Sequence, residues 1–272
     1  MADVNSGVVA HYGSADMAAR ILAAAAEAGI TEITPATLAP VDEFHTGGLP
    51  ATRELAKFAG LQPGDRVIDL GSGIGGPARI MASEFDCRVT GIDLTPEFVE
   101  TATALTERCG LSDRARFQVA DALALPFEDS LFDVAWTQHV VMNIRDRQAF
   151  YSEAARVLKP GGKFVFFDLL LGNGQPLEYP LPWARTPDIS FLYTVEDTRN
   201  LIGGAGLVEE NWFELQQAAA PMLQQQAAMA APGVFSLALV MGEDMGARVG
   251  NVARAVADGR ITVVRGLFRK PA

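Results

Sequence analysis

The sequence contains few of the residues that build disulfide networks or metal centres. Its 272 residues include two cysteines, Cys87 and Cys109, and three histidines, His11, His45 and His139. Neither set has the spacing of a metal-binding motif, so we expect no bound metal. Two separated cysteines are typical of reduced thiols, which predicts a cytoplasmic protein.

Basic residues and long apolar runs are also scarce. The chain has 22 Lys and Arg against 33 Asp and Glu, a net charge of −11, and no basic run. This excess of negative charge argues against a nucleic acid or an anionic membrane as partner. The first six residues lack the pattern of a secretory signal, so we expect none. The longest apolar run, residues 164–171, contains Asp168 and is too short to span a bilayer.

Strand and helix patterns alternate through the middle of the chain. Short apolar runs predict strands over 67–70, 88–93, 115–120, 132–137 and 163–170. Amphipathic segments between them predict helices, one of which has Thr95 as N-cap and Pro96 as its first residue. Residues 159–162, Lys-Pro-Gly-Gly, are predicted to form a turn. This alternation indicates an α/β fold with a doubly wound, parallel sheet.

The two ends of the chain predict additional helices around this core. Residues 208–215 and 261–268 are predicted strands, and the Ala/Gln/Met-rich residues between them, about 216–260, are a predicted helical cap. Two further helices are expected near 15–28 and 49–59. We therefore expect an N-terminal helical lid over 1–60, a core over 61–171, and the end of the sheet with its inserted cap over 172–272.

A glycine-rich loop between the first strand and the next helix is the most informative motif. It contains Gly71, Gly73, Gly75 and Gly76, and such a loop at a helix N-terminus lets a ligand approach bare backbone. The G-x-G-x-x-G spacing is shared with dinucleotide-binding proteins. However, Pro77 removes a backbone N–H at the start of the helix, where a pyrophosphate would need every available donor.

Asp69, two residues before that loop, places a carboxylate where a phosphate would be repelled. S-adenosylmethionine (SAM) carries an ammonium, a sulfonium and a ribose but no phosphate, so it suits the loop better than a dinucleotide does. A tight turn without any ligand is the alternative interpretation.

Polar residues follow three further strands at the edge of the sheet where ligands bind. Asp93 lies 22 residues beyond Gly71, where a carboxylate can accept both ribose hydroxyls. Asp121 and Ala122 are placed to contact the adenine. Solvated turn carboxylates are the alternative for each. Gln138 and His139 follow the fourth strand.

Several motifs, taken in order, resemble those of class I SAM-dependent methyltransferases. They are Asp69-Leu-Gly-Ser-Gly-Ile-Gly75, Asp93, Asp121-Ala-Leu-Ala-Leu-Pro-Phe127, Phe132-Asp133 and Leu158-Lys-Pro-Gly-Gly162. Residues 74–79, 138–139 and 142–146 are similar to the small-molecule group that includes tocopherol, sarcosine/dimethylglycine and sterol-type methyltransferases. Residues 45–48 resemble the segment that closes over the cofactor in that group.

The resemblance implies a Rossmann-like, seven-stranded sheet, mostly parallel, whose last strand is antiparallel. It implies that Gly71, Ser72 and Gly73 hold the methionine part of SAM and that the cap selects the acceptor. Leu94, next to Asp93, is included in the expected cofactor site.

The remaining expectations concern the lid and the chemistry. Tyr12 and His45 are expected to contact the cofactor from the lid, and Gln138 to border its methionine part. His139 is the candidate catalytic residue, as a general base for a protonated acceptor or as a group that orients it, with a structural role as the alternative. Because a SAM methyl group is already activated, the protein mainly has to align the acceptor and exclude water.

Three functions stay open at this point. The first is methyl transfer by in-line displacement to a small-molecule acceptor on N, O or C, with an apolar acceptor suggested by the methionines of the cap. The second is SAM binding with a non-methyl role, such as a cyclisation. The third, an NAD-dependent oxidoreductase, is disfavoured because the sequence shows no Tyr/Lys pair at catalytic spacing.

Overall fold

A seven-stranded sheet forms the centre of the protein. The computed structural model describes residues 5, 7, 16–229 and 235–272. The strands are β1 (Arg66–Leu70), β2 (Arg88–Asp93), β3 (Ala115–Val119), β4 (Phe132–Gln138), β5 (Leu158–Leu171), β6 (Val208–Glu214) and β7 (Ile261–Arg269). Their order is β3-β2-β1-β4-β5-β7-β6, and β7 is antiparallel to both neighbours. The predicted seven-stranded, mostly parallel α/β sheet with an antiparallel last strand is confirmed.

Ten α-helices are described around this sheet. They are α1 (Met17–Glu27), α2 (Pro35–Asp42), α3 (Gly48–Ala59), α4 (Gly76–Glu84), α5 (Pro96–Arg108), α6 (Arg147–Val157), α7 (Val195–Gly204), α8 (Gln216–Met229), α9 (Ala238–Met241) and α10 (Met245–Ala257). None of the described helices combines the length and the apolar character needed to cross a membrane.

Strand β1 shows why helices cover both faces of the sheet. Val67 and Ile68 are fully buried, and successive side chains of a strand point to opposite faces. Val67 packs in a cluster with residues of α3 and α4, whereas Ile68 packs in another with residues of α6. A strand that is buried on both sides needs a helical layer on each, which gives the doubly wound architecture.

The strand order places a crevice next to β1. The chain runs from β1 outward through β2 to β3, and then returns to β4 on the other side of β1. At such a switch point the loops after neighbouring strands diverge and leave room for a ligand at the carboxyl ends. The glycine loop after β1 and the residues after β4 therefore face one another across this crevice.

Two segments differ from the sequence-based expectation. Residues 159–162 do not form a separate turn but belong to β5. Phe132 pairs with Leu158 and Val134 pairs with Lys163, so these four residues lie in an irregularity of the β4–β5 pairing, and Gly161 adopts φ +76°. Helix α2 was not expected at all. It begins after Thr34, whose side chain forms a capping box with Thr37, and it includes Pro40. Its apolar residues lack helical periodicity, so no pattern indicated it.

The helical segment between β6 and β7 belongs to the same hydrophobic core as β1, α3 and α4. Helices α8 and α10 pack against each other, and Leu223, Met245 and Val249 are buried there. The residues predicted to be a helical insertion are thus helical over most of their described length. Helix α10 also contacts β7, so the insertion lies against the end of the sheet.

A buried ion pair connects the N-terminal helices to the glycine loop. The Arg79 guanidinium donates to Asp42 Oδ2 at 2.7 Å, to the Ile74 carbonyl at 2.8 Å and to Thr106 Oγ1 at 3.0 Å. Arg79 is fully buried and Asp42 is 3% exposed. Burial raises the pKa of Asp42 to about 6. One side chain thereby holds α2, the loop before α4, and α5 together.

We predict that Arg79→Ala destabilises the protein by about 3–5 kcal/mol, because it leaves a buried carboxylate without its partner. Arg53→Ala is the matched control, since Arg53 forms an exposed ion pair with Glu84 and should lose less than about 1 kcal/mol. Urea unfolding at pH 8, where Asp42 is ionised, measures both. An equal decrease in the free energy of unfolding in the two variants would contradict the role assigned to Arg79.

Candidate active site

One cavity lies at the carboxyl ends of β1, β2 and β4 and extends to the cap. Its lining includes ten of the twelve residues predicted for the site: His45, Gly71, Ser72, Gly73, Asp93, Leu94, Asp121, Ala122, Gln138 and His139. Asp69 is not part of the lining. Tyr12 lies outside the described residues. The structure thus places His45 of the N-terminal region and residues at the ends of β1, β2, β3 and β4 along the same cavity.

The glycine loop brings backbone close to the turn after β4. Gly71, Gly73 and Gly75 all have positive φ, at 79°, 54° and 85°. A Cβ atom on Gly71 would lie 2.5 Å from Val140 Cγ2, and one on Gly75 would lie 2.7 Å from the Phe117 ring. Both the conformation and the close approach require glycine, so bare backbone forms this wall of the cavity.

Asp93 fixes the position of the glycine loop. Its Oδ2 accepts the Gly73 N–H at 2.9 Å and its Oδ1 accepts the Thr95 N–H at 2.9 Å. Burial raises the pKa of Asp93, while the N–H donors act in the opposite direction. Each carboxylate oxygen keeps further lone-pair capacity. The carboxylate therefore braces the loop and can still accept hydrogen bonds from a ligand.

Asp69 is a buried carboxyl group at the end of β1. It is 2% exposed, and its Oδ2 has no hydrogen-bond partner within the described part of the chain. Burial, followed by the charges of Asp93 and Glu43, raises its pKa to about 8. An unpaired buried carboxylate is unfavourable, and a cation close to it would favour ionisation.

Other polar groups near the loop are also incompletely satisfied. Trp136 Nε1 donates to Gln138 Oε1 at 3.1 Å, which leaves Gln138 Nε2 buried and without a partner among the described residues. Ser72 Oγ is in the same situation. Asp121 differs, since it accepts the Leu123 N–H at 2.9 Å and Asn5 Nδ2 at 3.1 Å.

His139 follows β4 in a left-handed conformation, with φ +51°. Its Nδ1 accepts the Thr46 N–H of the N-terminal region at 3.3 Å, and its buried Nε2 has no partner within the described ranges. Asp168, at the end of β5, accepts the Val140 N–H at 3.1 Å and so supports the turn. Burial raises the pKa of Asp168 to about 7.

His45 belongs to a buried cluster that the sequence did not reveal. Its Nε2 lies 2.5 Å from Glu43 Oε2 and 2.9 Å from Thr52 Oγ1, and the Thr52 hydroxyl donates to the same Glu43 oxygen at 2.6 Å. Gln226 of α8 donates to the His45 carbonyl at 3.1 Å. Residues 45–48 were identified by their resemblance to a segment that closes over the cofactor in related methyltransferases, but no spacing signal indicated Glu43 or Thr52.

Part of the cavity lining, here called the apolar lobe, consists of apolar side chains from the C-terminal half of the chain. The residues of this apolar lobe come from β5, the loop after it and the cap: Leu169, Pro182, Trp183, Leu223, Met241, Val249 and Val252. Among the cap methionines, Met241 lines the cavity whereas Met245 is buried in the core. The side chain of Met229 lies outside the described ones.

The charges along the cavity are mainly negative. Four carboxylates, Asp42, Asp93, Asp121 and Asp146, line it, and Arg145 is the basic residue among the described lining. The Arg145 guanidinium lies 4.8 Å from the centre of the Phe191 ring. No group of three or more His, Cys, Asp or Glu side chains in the described ranges is arranged to hold a metal ion.

Comparison with known sequences identifies the central domain. Residues 68–166 match the family described as a methyltransferase domain. Phosphoethanolamine N-methyltransferase of Triticum aestivum is 36% identical over 161 residues, 59% of this chain and 31% of that protein. The chloroplastic tocopherol O-methyltransferase of Arabidopsis thaliana is 38% identical over 139 residues, 48% of this chain and 40% of that protein. The matches thus span less than half the length of these relatives.

Solved structures share the fold. Geranyl diphosphate C-methyltransferase from Streptomyces coelicolor A3(2), solved with Mg²⁺, geranyl-S-thiolodiphosphate and S-adenosyl-L-homocysteine, has a TM-score of 0.73 at 18% identity and covers 98% of both chains. The [4+2]-cyclase SpnF has a TM-score of 0.67 at 23% identity and covers 82% of this chain and 80% of that chain. At these identities the likeness concerns the fold alone.

The fold is therefore the Rossmann-like fold of methyltransferases. Residues 68–166 form a methyltransferase domain within this fold, as the motifs predicted.

Proposed function

We propose that this protein binds SAM and transfers its methyl group to a small-molecule acceptor. The proposal depends mainly on one observation. The glycine loop and Asp93 line the same cavity, and at Gly71 and Gly73 the loop has no side chains there. A related fold was solved with S-adenosyl-L-homocysteine, and the sequence relatives are methyltransferases by name.

The residues at the ends of β2 and β3 suit the nucleoside half of this cofactor. Asp93 has lone pairs left for two ribose hydroxyls, and Leu94 lies beside it on the cavity. Asp121 and Ala122 border the position proposed for the adenine. An adenine amino group would share Asp121 Oδ2 with Asn5 or displace it.

The unsatisfied groups near the glycine loop suit the methionine half. Ser72 Oγ and Gln138 Nε2 are hydrogen-bond donors without partners in the described structure, as an α-carboxylate requires. Asp69 is an unpaired carboxyl group, which suits the nearby ammonium. The bound cofactor would supply a methyl group already activated by its sulfonium, so the protein has to hold the acceptor in line and exclude water.

We propose that residues 1–60 act as a lid, 61–171 as the SAM-binding core, and about 216–260 as the acceptor-selecting cap. The lid contributes His45 and Thr46 to the cavity, and the Arg79–Asp42 pair holds it to the glycine loop. The proposed contact of Tyr12 with the cofactor rests on the sequence alone.

The acceptor that fits best is apolar and lacks a phosphate. The apolar lobe provides contact area for hydrocarbon. Asp42 is ion-paired with Arg79, but Asp93, Asp121 and Asp146 against one lining arginine, itself placed over an aromatic ring, would repel a phosphate group. His139 lines the same cavity as the glycine loop and this lobe, and we propose that it acts on the acceptor rather than on SAM.

A second function has one observation in its favour. The [4+2]-cyclase SpnF has the same fold, so a SAM-binding protein with a non-methyl role remains the alternative. An NAD-dependent oxidoreductase is the weaker alternative, because the pyrophosphate would have to bind at the glycine loop, where Pro77 provides no backbone N–H and Asp69 is a buried carboxyl group.

We also propose a cytoplasmic protein that does not bind nucleic acid. Cys87 and Cys109 are free thiols, as is usual in a reducing compartment. The net charge of −11 opposes binding to a polyanion.

We predict that Asp93→Ala weakens binding of S-adenosylhomocysteine by about 1.5–3 kcal/mol, through loss of the ribose hydrogen bonds and of the brace on Gly73. Asp113→Ala, which removes an exposed carboxylate, should bind like the wild type. Isothermal calorimetry measures both, with NAD titrated in parallel. Unchanged affinity in Asp93→Ala would refute this assignment, and tight NAD binding without any response to S-adenosylhomocysteine would refute the methyltransferase proposal.

Methyl transfer itself is tested with deuteromethyl-labelled SAM. The protein is incubated with the labelled cofactor and small-molecule extracts, and mass spectrometry identifies products that carry the label. We expect a labelled product of low polarity, formed only with the active protein. Binding of S-adenosylhomocysteine without labelled product across diverse extracts would favour the non-methyl role.

A further inference from the structure

The hydrogen bond between Thr46 and His139 fixes the position of the proton on the histidine ring. The Thr46 N–H is 3.3 Å from His139 Nδ1, and a backbone N–H can only donate. Nδ1 must therefore carry a lone pair. In the neutral ring the single proton then lies on Nε2, and Nε2 is a donor.

The surroundings of the ring oppose a second proton. A proton on Nδ1 would point directly at the Thr46 N–H. The ring lies 5.0 Å from Phe167 and 6.0 Å from His45, measured between ring centres. Burial and, to a smaller degree, the charge of His45 lower the pKa of His139 well below 6.5. The ring is thus held neutral around pH 7.

The nearby carboxyl groups do not change this conclusion. Glu43 is hydrogen-bonded to His45 and Thr52, and Asp168 accepts the Val140 N–H. Neither carboxylate contacts a ring nitrogen of His139. His139 consequently lacks the acidic partner that stabilises an imidazolium in Asp–His pairs.

The Nε2–H group itself is buried without a partner. His139 lines the cavity, and its Nε2 has no hydrogen bond to any residue in the described ranges. A buried donor left unpaired carries a free-energy cost. A ligand atom with a lone pair, bound next to the ring, would remove that cost.

We infer that His139 donates an Nε2 hydrogen bond to an oxygen of the acceptor and does not act as its general base. The inference rests on the proposed methyltransferase function and narrows its substrate class. The acceptor is an apolar molecule with an oxygen next to the reacting atom, best as a phenolate or enolate, because a hydrogen bond to an anion is the stronger one. An ammonium group at this position has no lone pair to offer.

The Thr46 N–H is a positioning group in this arrangement. It belongs to the proposed lid, so closure of that segment over the cavity and selection of the His139 tautomer are coupled. Thr46 is buried and acts through its backbone, so the identity of its side chain matters little for this role.

The tautomer can be measured without knowing the acceptor. In ¹⁵N-histidine-labelled protein saturated with S-adenosylhomocysteine at pH 7, two-bond NMR correlations distinguish bare from protonated ring nitrogens, and His139→Gln identifies the His139 signals. We expect a bare Nδ1 and a protonated Nε2. A proton on Nδ1, alone or with Nε2, would overturn the inference. Failure of S-adenosylhomocysteine to bind would instead overturn the proposed function, and the tautomer of the free protein could still be read.

A pair of Thr46 variants tests the positioning role. Thr46→Ala keeps the backbone N–H and should keep the Nε2-protonated tautomer. Thr46→Pro removes that N–H and should give a mixture of tautomers. Identical spectra in folded Thr46→Pro and Thr46→Ala would contradict the role of this N–H, and the wild-type spectrum decides the tautomer if Thr46→Pro does not fold.

Turnover of the acceptor found by methyl labelling separates donor from base. His139→Leu should lower kcat/KM at pH 7 by about 10–10²-fold, because without the donor less of the acceptor is bound as its reactive anion. His139→Gln places an amide N–H near the position of Nε2 and should recover most of that loss. A general base predicts that both variants lose activity equally, because the amide cannot accept the proton, and that result would refute the donor role.

Discussion

The close approach of the glycine loop to the turn after β4 is the constraint on which the site depends. Gly71 leaves β1 with φ +79°, and a Cβ there would collide with Val140. The two loops after neighbouring strands can meet only because Gly71 has no side chain at the point of contact. This contact places the backbone after β1 and the residue before Val140, His139, on the same cavity, and Asp93 and Arg79 then hold the loop from its other sides.

The same arrangement leaves polar groups in an unfavourable state. Asp69 and Asp168 are buried carboxyls whose pKa values burial raises to about 8 and about 7. Ser72 and Gln138 have buried atoms without partners among the described residues. Local features that oppose stability are expected where a site is organised for a ligand, and here they concentrate around one cavity.

The sequence predicted the sheet and the cofactor side of the cavity because those signals are local. Strand, glycine loop and Pro77 follow one another directly, and strand ends must meet at one edge of a parallel sheet. The Thr46–His139 bond joins residues 93 positions apart, so no spacing could indicate it. Glu43 and Thr52 were not predicted for the same reason, and the apolar residues of α2, the helix that carries Asp42, lack the periodicity that would have predicted it.

The most direct measurement is the affinity of Gly71→Ala for S-adenosylhomocysteine. Gly110→Ala is the control, because Gly110 also has positive φ, at 67°, but has no atom within 4 Å of its would-be Cβ. Calorimetry on variants with wild-type circular dichroism should show Gly71→Ala binding weaker by about 2–4 kcal/mol, the result of overpacking and backbone strain, and Gly110→Ala unchanged. Wild-type affinity in Gly71→Ala would contradict the claim that this close approach forms the cofactor site.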